Sequence, residues 1–151
     1  MKIGLIIYSH TGNTYSVAEK LTGRLTEKGH NAELIRLKAE GVKKDIAVKN
    51  STDLSAFDAY VFASPVQAFA LAQPMAAYLE EVMAVTGKKA AVFITQQMKK
   101  PFFGGNSAIK KMTKILNGKG VDIVGSATIG WSNINREELI EKAVDYLAGL
   151  F

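Results

Sequence analysis

Short apolar runs alternate along the chain with longer stretches in which apolar residues recur every three or four positions, the pattern of an α/β fold built on a parallel sheet. Strands are predicted at about Lys2 to Tyr8, Ala32 to Leu37, Ala59 to Ala63, Lys89 to Thr95 and Val121 to Ile129. Three of them contain nearly continuous apolar runs, Ile3 to Ile7, Ala59 to Ala63 and Ala90 to Ile94. Such strands are covered on both faces and belong in the middle of a sheet. Ala32-Glu33-Leu34-Ile35-Arg36-Leu37 carries two charges within its run and reads as an edge strand.

Between the strands, Val17, Leu21 and Leu25 mark one amphipathic helix, Met75, Leu79 and Met83 a second, and Ile109, Met112, Ile115 and Leu116 a third. The last helix opens on Asn135-Arg136-Glu137-Glu138, a capping residue with Glu three positions on, and its apolar stripe runs Leu139, Ala143, Leu147, Leu150. Gly23 inside the first helix costs about 1 kcal/mol relative to Ala, and close packing on the sheet is the expected reason. The polar stretch from Lys38 to Ser55 reads as a loop with a short or irregular helix. No linker or repeat divides the chain, so residues 1–151 are expected to form one doubly wound three-layer domain with a five-stranded parallel sheet.

Charge changes this picture at one place. The 151 residues hold 19 Lys plus Arg and 14 Asp plus Glu, a formal net charge of +5. Six of the lysines (Lys99, Lys100, Lys110, Lys111, Lys114 and Lys119) fall between Gln96 and Gly120, a segment without any acid, and the remainder of the chain has 13 basic and 14 acidic residues. The basic character is therefore local, which argues against a general nucleic-acid binder. There is no cysteine, which excludes disulfides, thiolate metal sites and a thiol nucleophile. No apolar run approaches the roughly 18 residues of a membrane-spanning helix, and the N-terminus reads as a strand, so a cytoplasmic location is expected.

The candidate chemistry lies in Tyr8-Ser9-His10-Thr11-Gly12-Asn13-Thr14, between the first strand and the first helix. A tight turn of hydroxyl, amide and Gly residues that opens a helix offers several backbone N–H groups and the positive end of the helix to an anion, which suits a phosphate. The loop contains no Lys or Arg, so neutral donors would hold that anion. Competing phosphate sites are absent. After Gly12 the chain reads Asn13-Thr14-Tyr15-Ser16-Val17-Ala18, without the Gly-Lys pair of a P-loop, and Gly118-Lys119-Gly120 is followed by Val121-Asp122-Ile123, without the third Gly of a dinucleotide fingerprint. Tyr8-Ser9 and Ser64-Pro65 stand where a phosphorelay receiver requires carboxylates. No acid–base pair or metal-ligand cluster adjoins the loops, so neither a catalytic nor a metal residue is assigned.

Ser9-His10-Thr11-Gly12-Asn13-Thr14 resembles the S/T-x-T-G-x-T loop with which flavodoxins wrap the phosphate of FMN. Ser9, Thr11, Gly12, Asn13 and Thr14 match position by position, and His10 fills the variable place, as a backbone donor with its ring toward solvent. Two further segments fall where that family puts its flavin-ring loops. Ser64-Pro65-Val66-Gln67-Ala68-Phe69 is similar to the P-V-W-A-F stretch of a flavodoxin subgroup, and Phe102-Phe103-Gly104-Gly105-Asn106-Ser107-Ala108-Ile109 to its F-x-G-G-x-x-A-I. Gln96-Gln97-Met98 stands at the turn after strand four, where its amides could meet the flavin pyrimidine. Gln67 replaces the subgroup's ring-stacking Trp, leaving Phe69, Phe102 or Phe103 as the aromatic partner, or none, with a core position as the other reading of Phe69. Trp131 and Tyr60 read as packing residues.

The resemblance covers the whole chain as a short-chain member. It implies the strand order 2-1-3-4-5, bound FMN, and a carrier that shuttles electrons between redox partners, the flavin supplying the chemistry and the protein tuning it. Two other functions stay open: an FMN-dependent reductase that takes hydride from NAD(P)H for a quinone-type acceptor, with Lys99 or Lys100 meeting a 2′-phosphate, and a flavodoxin-like binding domain without redox chemistry. The loop from Ser64 to Ala70 has no Gly, so turning a carbonyl toward flavin N5 requires a positive φ at Ala68 or Gln67, at about 1 kcal/mol. That cost implies weaker stabilisation of the one-electron-reduced flavin. Lys99 and Lys100 are expected beside the ring edge, recruiting an acidic redox protein or an anionic substrate in a salt-sensitive way. Neither nucleic acid nor membrane is expected as a partner, and the chain is expected to be a monomer or weak dimer.

Overall fold

The computed structural model describes residues 1–40, 47–49, 53–100 and 103–151, with the backbone alone for 40 and 47–49. In chain order the elements are β1 (Lys2–Ile7), α1 (Asn13–Glu27), β2 (Asn31–Arg36), β3 (Lys38–Glu40), β4 (Ala47–Lys49), β5 (Ala59–Gln67), β6 (Ala70–Leu71), α2 (Gln73–Glu81), β7 (Lys89–Gln96), α3 (Gly105–Gly118), β8 (Asp122–Gly130) and α4 (Arg136–Ala148). Five long strands pair in parallel in the order β2-β1-β5-β7-β8, which is 2-1-3-4-5 when only these strands are counted. The three apolar strands occupy the centre, and the charged run from Asn31 lies at an edge, as their patterns predict.

Alternation along each central strand feeds two cores. On one face Ile6, Tyr60, Phe62, Val92 and Ile94 pack against Met75, Leu79, Met112 and Leu116 of α2 and α3. On the other, Leu5, Ile7, Val61 and Phe93 pack against Val17, Leu21 and Leu25 of α1 and Ile140, Val144 and Leu147 of α4. Each fully buried Leu, Ile, Val or Phe contributes about 1.5–3 kcal/mol. Tyr60 is wholly buried and donates its hydroxyl to the Leu54 carbonyl at 2.6 Å, which satisfies its one polar atom. Among the described residues, no helix is long and apolar enough to cross a membrane.

Several local expectations need correction. Gly23 is exposed and nothing lies within 4 Å of where its Cβ would stand, so packing on the sheet does not explain it. Gly4 is the tightly packed one, with its Cβ position 3.1 Å from the Phe57 ring. α2 ends at Glu81, two residues short of Met83, which is 79% exposed while Val82 turns inward. In α4 the buried stripe is Ile140, Val144, Leu147 and Ala148, one residue out of phase with the pattern begun at Leu139, and Asn135 makes no side-chain cap. The polar stretch after β2 holds an antiparallel pair, Lys38 opposite Lys49, and a 3-10 turn at Leu54–Ala56 closed by Asp53 accepting from the Ser55 N–H at 2.9 Å.

Candidate functional site

The loop between β1 and α1 is organised from within. Gly12 takes φ 96°, a left-handed turn that favours glycine, and reverses the chain into the helix. The Ser9 side chain is buried, and its Oγ accepts from the N–H groups of Gly12 at 3.2 Å and Tyr15 at 3.3 Å. Thr14 is also buried, and its Oγ1 lies 2.7 Å from that of Thr95 on β7, tying the first loop to the end of the fourth long strand. Among the described residues, the N–H groups of Thr11, Asn13 and Thr14 have no acceptor. Those of Asn13 and Thr14 are orphan donors of the first turn of α1, at its positive end, and that of Thr11 lies one residue before the Gly12 cap.

One residue invisible to motif reading joins them. Parallel register sets Arg36 opposite Ile7, so its guanidinium reaches across the strand ends, donates to the Ser9 carbonyl at 3.1 Å and lies 4.9 Å over the Tyr15 ring. The loop lacks its own cation, and the fold brings one from β2. The available signal was positional, a charge at the end of a strand paired with β1.

The second loop is a hairpin. β5 runs past Ala63 to Gln67 and turns back into β6, with Val66 opposite Leu71 and Gln67 opposite Ala70. The two turn residues, Ala68 and Phe69, have φ 50° and 60°, the left-handed pair that two-residue hairpins normally build from Asn-Gly. The positive φ foreseen at Ala68 or Gln67 occurs at Ala68 and, beside it, at Phe69. Phe69 is 68% exposed at the tip, which rules out a core role. Phe103 is half-buried, and Phe102 lies outside the described residues.

Gly104 and Gly105, expected at the cofactor, are buried and let α3 approach the β5–β6 hairpin and the ends of β7 and β8 respectively. A Cβ on Gly104 would stand 2.7 Å from Val66 Cγ1 and 2.9 Å from the Phe69 carbonyl carbon and oxygen, and one on Gly105 2.6 Å from Gln96 Oε1. The Gln96 side chain is likewise a support. It is buried, its Nε2 donates to the carbonyls of Met98 at 2.9 Å and Lys100 at 2.7 Å, and its Oε1 has no partner among the described residues. Gln97 and Met98 are exposed. The turn after β8 braces this third loop, with Trp131 N–H donating to the Gln96 carbonyl at 2.6 Å and Ser132 N–H to that of Gln97 at 3.1 Å. Trp131 itself is half-buried under the Arg136 guanidinium, 4.8 Å from its ring.

The three loops meet at the carboxyl ends of β1, β5 and β7. His10, Thr11, Asn13, Pro65, Val66, Gln67, Thr95, Gln96 and Gln97 line one cleft of about 150 Å³. All but Thr95 are residues the sequence singles out. Ser9, Gly12 and Thr14 shape the first loop, Ala68 and Phe69 form the rim of the second, and Met98 lies outside the lining.

The same architecture occurs in solved structures. Oxidised flavodoxin 1 from Bacillus cereus matches with a TM-score of 0.74 and 20% identity over 99% of this chain and 97% of that one. The chain has the flavodoxin-like fold. A flavoprotein in complex with FMN from Lactobacillus acidophilus matches at 0.66 and 17% identity, covering 94% of this chain and 97% of its own. The Trp repressor binding protein from Bacillus subtilis matches at 0.69 and 16%, covering 99% and 100%. No protein-family model and no curated protein matches the sequence. In this flavodoxin-like sheet the cleft lies beside β1 and β5, where strand order reverses and ligands of open α/β sheets bind.

Proposed function

We propose that the chain binds FMN in this cleft and carries electrons between redox partners. The observation that carries the reading is the meeting of three separately recognised loops on one cleft, with the Ser9–Thr14 loop at the start of α1. The donor set suits a phosphate: unpaired N–H groups of Thr11, Asn13 and Thr14, the positive end of α1, and the Arg36 guanidinium bonded to the same loop. A volume of about 150 Å³ is below the roughly 300–1,000 Å³ of enclosed small-molecule sites, so the rest of such a ligand would lie along the open rim.

Bound FMN supplies one- and two-electron transfer through its ring system. The chain's part is to hold and position it. Thr11 and Asn13 face the cleft from the phosphate loop, Pro65, Val66 and Gln67 form one wall, and Gln97 offers an amide from the other. The buried Thr14–Thr95 hydroxyl pair and the Gln96 amide keep the two walls in place. Exposed Phe69 at the hairpin tip is an aromatic available to the rim.

Lys99 and Lys100 are exposed on the loop that Gln96 braces, and the reading assigns them to contact with an acidic redox protein. Their effect is expected to fade with salt. The test is to add FMN, remove excess, record flavin absorption, and then add NADPH without oxygen. A flavin-bound protein that keeps its colour supports a carrier. Bleaching identifies a reductase, and failure to take up flavin overturns the reading.

A further inference from the structure

We propose that the flank formed by α3 and the end of α2 is a docking surface for an acidic segment of a partner protein. A groove of about 720 Å³ runs there, lined chiefly by Ser107, Lys110, Lys111, Lys114, Ile115 and Lys119. The positions Ser107, Lys110, Lys111 and Lys114 recur at three- and four-residue spacing, on the face of α3 opposite its buried Ala108, Met112 and Leu116.

The lysines in this groove have unequal work within the chain. Lys119 closes the end of α2, its Nζ donating to the carbonyls of Glu80 at 2.9 Å and Val82 at 3.1 Å. The side chains of Lys110, Lys111 and Lys114 make no ion pair or hydrogen bond among the described residues. The α1–α4 flank is built differently: Lys20 and Arg24 each meet Glu141 at 3.2 Å, and Arg24 also pairs with Asp145. Nor does the helix itself call for these cations. Lys110 and Lys111 stand in mid-helix, away from the last turn where the macrodipole favours positive charge, and Lys110 and Lys114 repel each other at four-residue spacing. An anionic partner turns that unfavourable arrangement into a favourable one.

The rest of the surface favours a polypeptide over a nucleic acid. Glu80 lines the groove, Glu81 is exposed beside it, and outside Gln96–Gly120 the chain has more acids than bases. A phosphate backbone running beyond the lysines would meet those carboxylates. A mixed segment can set acids against Lys110, Lys111 and Lys114 and an apolar residue against the half-buried Ile115. The inference stands on this flank alone, whatever fills the cleft.

The test is fluorescence anisotropy of a labelled peptide of Glu, Asp and Leu residues, with a single-stranded DNA oligonucleotide of equal charge as the comparison, in protein with and without added FMN. The expected result is salt-sensitive peptide binding, tighter than oligonucleotide binding. The triple variant Lys110→Gln, Lys111→Gln, Lys114→Gln should weaken it about tenfold, from three exposed pairs acting together, with a melting temperature no lower than that of the parent, since the Lys110–Lys114 repulsion is removed. Lys20→Gln on α1 should leave it unchanged, and Lys111→Gln alone should weaken it detectably. Absence of peptide binding, indifference to the α3 variants, equal loss with Lys20→Gln, or tighter binding of the oligonucleotide would overturn the proposal.

Discussion

Replacing Gly104 with Ala tests whether α3 and the β5–β6 hairpin are locked together. Gly104 has φ 114° and ψ −27°, outside the small left-handed region that other residues reach. Its added Cβ would meet the Val66 side chain at 2.7 Å and the Phe69 carbonyl group at 2.9 Å. Val66 is branched and pinned in the hairpin, and the Phe69 contacts are backbone, so neither can swing away cheaply. The conformational penalty is about 1–2 kcal/mol and the forced overlap about 1–3 kcal/mol, a combined loss of about 2–5 kcal/mol. That is a large part of the roughly 5–15 kcal/mol by which domains are stable. Urea unfolding followed by circular dichroism reads it directly. With a slope of about 2 kcal/mol/M, the midpoint should fall by about 1–2.5 M. A shift below about 0.5 M would show that the hairpin yields freely and that the glycine does not lock it.

Gly23→Ala should act in the opposite direction, raising stability by about 0.5–1 kcal/mol because the site is helical, exposed and open, and a lower melting temperature would refute that account. Thr14→Val should cost about 1–3 kcal/mol by stranding the buried Thr95 hydroxyl, while the double variant with Thr95→Val should recover much of it, as a double-mutant cycle will show. Hydrogen bonding from Lys20, then its charge and that of Arg24, holds the Glu141 carboxyl below the usual glutamate range. Its folded pKa lies below its unfolded one, so the stabilisation is present above the ordinary value and lost as pH falls through the lowered one. Glu141→Gln should flatten stability against pH in that acidic window, and an unchanged profile would refute it.

Much of this fold was legible because central parallel strands must be apolar on both faces. Ile3 to Ile7 and Ala90 to Ile94 are too short for helices and read as buried strands by length and by their β-branched and aromatic residues. Phase was harder to see. Leu139 and Met83 extend apolar stripes by spacing alone, but α4 is rotated by one residue and α2 stops at Glu81, and only the packed neighbours decide either. In the site, the loops were visible and the division of labour was not. Gln96 reads in the sequence as a ligand-facing amide; it lines the cleft, and its carboxamide also holds the Met98 and Lys100 carbonyls. Gly104 and Gly105 read in the sequence as cofactor contacts; in the fold Gly104 gives room to the β5–β6 hairpin and Gly105 to the side chains of Gln96 on β7 and Thr128 on β8. Such roles depend on pairs distant in sequence, as does Arg36, which register carries to the Ser9–Thr14 loop. The left-handed Ala68–Phe69 turn also broke a local rule, since Asn-Gly is the sequence such a turn announces.

The central claim is that the Ser9–Thr14 loop receives the phosphate of a flavin mononucleotide. Quenching of flavin fluorescence on titration tests it most directly, with FMN and riboflavin compared under the same conditions. The account predicts one FMN bound per chain, at least about 100-fold more tightly than riboflavin, since charge-assisted bonds from several N–H groups contribute about 1.5–3 kcal/mol each. Equal affinity for the two flavins, or binding of neither, would contradict it.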